Sequence, residues 1–116
     1  MASRLSLAAT LASTGDNAGA IDEYQKVLSA KPDYAGARLA LAGLLVKTGA
    51  NDQALDQLRQ LSKQDTQNPA IFEQIGDLES ARHNPAEARS AYDSALALKP
   101  DRPTRARISN KLKGLR

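Results

Sequence analysis

Residues 41–61 read LAGLLVKTGANDQALDQLRQL, and this stretch decides the fold. Leu41, Leu44, Leu45 and Thr48 recur at helical spacing, and Gly49 follows them where φ can turn positive without a steric penalty. Asn51 then supplies an N-cap acceptor for a second helix, in which Ala54, Leu55, Leu58 and Leu61 form the next apolar stripe. Two helices joined by a tight turn are the predicted unit.

Working outward, the unit repeats. Ala20, Ala54 and Ala88 recur at intervals of 34, as do Tyr24, Leu58 and Tyr92, then Val27, Leu61 and Ala95. Earlier in each copy stand Leu7, Leu41 and Ile75, each followed by a small residue, Ala8, Ala42 or Gly76. Pro32 and Pro100 lie two periods apart, while the middle copy carries Thr66 in that slot and has its proline at Pro69. Such self-similarity marks an array of helical hairpins. Helices are predicted at 3–14, 17–30, 34–48, 51–64, 69–82, 85–98 and 103–114. Asn68 before Pro69, and Asn84 before Pro85 with Glu87 after it, are expected as caps.

The recurring alanines have a steric reason. Antiparallel helices approach within roughly 8–10 Å when the side chains at their crossing are small. Ala8, Ala42 and Gly76 opposite Ala20, Ala54 and Ala88 provide that crossing, and Leu7, Leu11, Tyr24, Leu41, Leu45, Leu58, Ile75 and Tyr92 are expected to fill the space beside it.

Composition agrees. The chain has 116 residues, 41% hydrophobic and 25% charged but only 3% aromatic, which favours an aliphatic, alanine-based helical core. The absence of cysteine excludes a disulfide framework and a thiol nucleophile and leaves the redox compartment undetermined, with the cytoplasm favoured over the periplasm. The alanine-rich style suggests a bacterial source. Met1 to Ala12 imitate a short signal peptide, but Ser6 and Thr10 interrupt the apolar run and the repeat assigns these residues to a helix. Nothing in the sequence is long and apolar enough to span a bilayer. Charge is uneven: residues 1–100 hold ten Lys and Arg against twelve Asp and Glu, whereas 101–116 hold six against one. Any anionic partner is therefore expected at Arg102, Arg105, Arg107, Lys111, Lys113 and Arg116.

With Ala at the twentieth position of a 34-residue unit, an aromatic at the twenty-fourth and Pro at the thirty-second, the sequence resembles the tetratricopeptide repeat family. The resemblance implies an all-α fold, a right-handed α-solenoid of three repeats at 1–34, 35–68 and 69–102, closed by a helix at 103–116. Arg4 and Arg38 depart from the family's large residue in the first helix, and Glu79 stands where Leu11 and Leu45 stand, so a partly buried pair of Glu79 with Arg105 or Arg107 is expected.

In the family a concave groove takes a peptide or partner helix on first-helix positions two, five, nine and twelve. Carried onto this chain, those positions are Ala2, Leu5, Ala9 and Ala12, then Gly36, Leu39, Gly43 and Val46, then Ala70, Glu73, Asp77 and Ser80, with Thr104, Arg107 and Lys111 in the last helix. The groove is thus expected to be apolar at its amino end, acidic at the third repeat and basic at the closing helix. Leu5, Leu39 and Val46 are the candidate anchors, unless neighbouring helices cover Leu5 and Leu39. Glu73 with Arg107, and Asp77 with Lys111, could equally neutralise each other as ion pairs. The family's carboxylate clamp for chaperone tails is not expected, because the matching positions carry Leu5, Ala9, Ala40, Ala70 and Gln74, none of them cationic.

No catalytic constellation is visible. His83, the single histidine, falls in the turn slot of Gly15 and Gly49, and a lone imidazole makes neither a triad nor a zinc site. Asp16, Asp52 and Asp65 sit at turns or helix ends, where carboxylates cap. The expected function is a non-enzymatic protein-interaction scaffold without cofactor or metal. The alternatives are binding of nucleic acid or an anionic membrane surface through the basic last helix, which the acidic balance of the rest of the chain disfavours, and self-association.

Overall fold

The computed structural model describes residues 2–115, without the side chains of Ala2 and Ser3. The Ala2 side chain, assigned above to the groove, and Arg116, assigned to the basic helix, therefore lie outside the described residues. The described residues form helices α1 (Ala2–Ser13), α2 (Asn17–Ala30), α3 (Ala35–Lys47), α4 (Asn51–Gln64), α5 (Pro69–Ala81), α6 (Pro85–Ala97) and α7 (Arg102–Gly114), with no strand among them. Each expected helix is present, with its ends within one residue of those read from the sequence.

The turns explain this agreement. After α1, α3 and α5 the chain enters the left-handed region at Gly15 (φ 90°), Gly49 (φ 85°) and His83 (φ 63°). At each, one amide reaches back three residues and the next reaches back five: Gly15 to Ala12 and Asp16 to Leu11, Gly49 to Val46 and Ala50 to Leu45, His83 to Ser80 and Asn84 to Glu79. This is the Schellman arrangement, which satisfies the last carbonyls of a helix. His83 occupies the glycine slot because histidine tolerates positive φ better than most side chains.

Caps start the next helices. Asp16 accepts the Gly19 amide at 3.0 Å, and Asn68 accepts the Ala70 amide at 3.1 Å. Two expected caps differ. Asn51 is the first residue of α4, not the residue before it, and the Ala50 carbonyl receives the first helical bond. Asn84 stands at the N-cap of α6, but its side-chain amide donates to Glu79 at 3.1 Å instead of capping.

The helices fall into two compact units, residues 1–64 (α1–α4) and 65–116 (α5–α7). In the first, α2 packs on α1 and on α3, and α3 packs on α4. Its core holds Ala8, Ala20, Leu41, Ala42, Ala54, Leu58 and Leu61, all essentially without solvent exposure. Leu7 is a correction: expected beside Leu41 in the core, it is 46% exposed. Leu41 lies on a helix packed from two sides, by α2 and α4, whereas the main packing of α1 is on α2, and the Leu7 side chain stays largely open to solvent.

The arginines that departed from the repeat pattern are answered by residues nineteen positions later. Arg4 donates to Glu23 at 2.9 Å, and Arg38 donates to Gln57 at 2.6 Å and to the Pro32 carbonyl at 2.8 Å. In the third copy the same two positions are Phe72 and Ala91. Phe72 packs against a core cluster of the second unit, Ala88, Tyr92, Ala95 and Ile108. The two positions that form a polar pair in the first two copies are thus both apolar in the third.

Candidate functional site

In the first unit the expected groove residues sit on one face of each first helix. Leu5, Ala9 and Ala12 follow one another at i, i+4 and i+7 on α1, and Leu39, Gly43 and Val46 do so on α3. Leu5, Ala12 and Leu39 are half-buried, Ala9 and Gly43 are exposed, and Val46 is 41% exposed, a large apolar side chain open to solvent. A methyl group on Gly43 would meet nothing within 4 Å, so the space above this turn of α3 is open. Gly36, also carried into the groove, is exposed at the start of α3.

In the second unit the charged positions come together. Arg107 of α7 grips the Glu73 carboxylate of α5 with two bonds, from Nε at 2.6 Å and Nη2 at 2.8 Å. Lys111, one turn further along α7, bridges Glu73 at 2.8 Å and Asp77 at 3.0 Å. The Tyr92 hydroxyl of α6 donates to Asp77 at 2.6 Å. The acidic and basic positions of the expected groove therefore face one another across adjacent helices, and Ala70, Ser80 and Thr104 flank them as small or polar neighbours.

Burial makes this cluster electrostatically strong. Glu73 is only 6% exposed. Its hydrogen bond from Arg107 outweighs the cost of burial and, with Lys111 adding to it, holds the carboxyl at about 2 against an ordinary 4.5. Burial, reinforced by the bond to Asp77, pushes the Tyr92 phenol well above its ordinary value. Glu79 is buried, accepts from the Asn84 side chain and lies 3.5 Å from Arg82, while Arg107, one of the two partners expected for it, turns to Glu73.

Tyr92 also accounts for Gly76. A Cβ on Gly76 would fall 2.5 Å from the Tyr92 ring. In the first copy Ala8 and Ala9 stand in the matching places, so the position from which Asp77 holds Tyr92 carries no carboxylate there. Gly76→Ala is expected to destabilise the chain by about 1–3 kcal/mol through overpacking, less about 1 kcal/mol gained in helix propensity. In a Tyr92→Leu background the same Gly76→Ala change should cost nothing or stabilise in thermal melts; if Gly76→Ala raises stability in the wild-type chain, the ring is not the obstacle.

Beside this cluster, between the ends of α5 and α7, opens a cleft of about 320 Å³ lined by Asp77, Ser80, Tyr92, Lys111, Gly114 and Leu115. His83 and Pro85 line an adjoining cleft with Ser80, Gly114 and Leu115. Among the described residues, no group of three or more His, Cys, Asp or Glu could hold a metal ion, and no helix is long and apolar enough to cross a membrane.

Comparison with known proteins bears on the whole chain. The family model of the tetratricopeptide repeat-like domain matches residues 1–116. Two crystal structures of MamA are similar at 25% and 26% identity, with TM-scores of 0.85 and 0.83, over 94% and 90% of this chain. The chain spans only 58% and 60% of those two proteins. The type III secretion chaperone SycD of Yersinia enterocolitica, solved with a peptide of the translocator YopD, matches at 20% identity with a TM-score of 0.88, covering 96% of this chain and 88% of its own. A search of the curated proteins gives no match. Repeats of this fold often serve as scaffolds for protein interaction, a role that needs no catalytic group. With helical hairpins repeating every 34 residues and a family model that spans it from end to end, the chain belongs to the tetratricopeptide repeat-like family.

Proposed function

We propose that the chain is a non-catalytic interaction module, built of repeats at 1–34, 35–68 and 69–102 with a closing helix from 103, that receives a peptide or partner helix on the first-helix faces of its repeats. Leu5, Ala9 and Ala12 of α1 and Leu39, Gly43 and Val46 of α3 supply the apolar contact. The observation that carries this reading is the exposed Val46 beside the uncovered backbone of Gly43, with Leu39 one turn away on the same face. An aliphatic side chain left open next to a bare glycine is an apolar surface with room above it. The peptide seated on SycD in its solved complex supports the same use of the fold. Glu73, Asp77, Arg107 and Lys111 contribute to selection only when their mutual pairing is opened.

Leu39→Glu puts a charge into that surface without touching the helix crossings. It is expected to reduce capture of the specific partner at least about tenfold, since burying an unpaired carboxylate in an apolar interface costs more than the 1.4 kcal/mol that tenfold represents. The thermal melt should change little, because Leu39 is only half-buried. A partner still retained in full by Leu39→Glu would overturn the assignment.

A further inference from the structure

We infer that the face of α5 and α6 beneath α7 is a receiving site for a partner helix bearing basic residues four apart, each followed by an aliphatic residue, and that α7 fills this site in cis until such a helix displaces it. The inference deepens the interaction reading above and rests on it.

The docked side of α7 carries that pattern itself: Arg107 then Ile108, Lys111 then Leu112. The two cations engage Glu73 and Asp77, while Ile108 enters the apolar floor of Ala88, Tyr92 and Ala95. The two acids alone would not define a site; a helix seated on them shows what fits.

Three features make α7 a displaceable occupant. Ile108 is its one buried side chain, with Leu112 and Leu115 only partly covered. Its ionic grip is partly wet, the Arg107 side chain being 53% exposed and Lys111 32%, and such contacts weaken with salt. Its last turn leaves the cleft beside Asp77 and Tyr92 unfilled. The connection to α6 is short, with Lys99 at a left-handed φ of 56° and Asp101, which lies between Pro100 and Pro103, capping α7 through the Thr104 amide.

A tethered helix acts at an effective concentration near millimolar, so an intruder is detected best when the tethered copy is weakened. The test titrates a labelled peptide of residues 101–116 with the full chain and follows anisotropy. The chain carrying Arg107→Ala and Lys111→Ala should bind the peptide at least about tenfold tighter than the wild-type chain, and a peptide carrying glutamate at both positions should bind neither. Equal affinity for both chains, or no binding to the variant, overturns the inference. Sedimentation of the variant as a dimer also overturns it, because a second copy's α7 would then be the occupant.

Should the variant fail to fold, hydrogen exchange on the wild-type chain decides. Amides of 105–114 should exchange at least about tenfold faster than those of Leu78 and Tyr92, and faster again in high salt. Exchange of α7 only together with those amides would show that it never leaves. Leu39→Glu should not alter peptide binding here, so failure of the first-unit surface and failure of this site are read separately.

Discussion

Leu41→Ala is expected to cost about 2–5 kcal/mol, whereas Leu7→Ala, the same change at the matching place in the first repeat, should cost under about 1 kcal/mol. Leu41 is 1% exposed and Leu7 46%. Truncating the buried side chain loses its transfer free energy and leaves a cavity that α2 and α4 can only partly close. Truncating the exposed one removes little that water does not already touch. Urea unfolding of the two variants checks this, and equal losses would show that repeat position, not burial, sets the cost. The larger loss should appear as a lower midpoint with an unchanged slope if unfolding stays two-state.

Acid should release the junction of α5 with α7. Glu73 titrates near 2 in the folded chain and near 4.5 when unfolded, so its folded value is depressed. The stability it contributes is therefore fully present above about pH 4.5 and is lost as pH falls toward 2. The difference of about 2.5 units corresponds to about 3 kcal/mol at neutral pH, an upper figure because the partner side chains are partly solvated. Glu73→Gln should be less stable than the wild-type chain at pH 7, and the two should converge as pH approaches 2. Parallel curves across that window would mean that Glu73 is not held in its charged form by Arg107 and Lys111.

The fold was legible because each level of the sequence agreed with the others. The apolar spacing marked the helices, glycine and proline marked their ends, and the alanines at 20, 54 and 88 marked the crossings. The pairing of Glu73 with Arg107 and of Asp77 with Lys111 was also within reach, since each pair is separated by one repeat length. What escaped was whatever depended on a neighbour. Leu7 carries the same side chain as Leu41, and what separates them is packing: α3 lies extensively against both α2 and α4, whereas α1 packs mainly on α2. Arg4 and Arg38 looked like defects until Glu23 and Gln57 were seen to answer them. That compensation leaves a signal, an Arg followed nineteen residues later by Glu or Gln in two copies and by neither in the third. Glu79 was hard to place from periodicity, because Asn84, which donates to it, and Arg82, 3.5 Å away, lie within five residues of it along the chain and carry no 34-residue spacing. The exposure of Val46 beside Gly43 likewise follows from packing and not from residue type.

The surface that receives the partner can be mapped by hydroxyl-radical footprinting of the wild-type chain with and without the protein it captures and Leu39→Glu does not. Protection should concentrate at Leu5, Leu39 and Val46 and leave the outward residues of α2 and α4 as reactive as in the free chain. Protection confined to α2 and α4, or to Arg102, Arg105 and Lys113 of α7, would contradict docking on the first-helix faces.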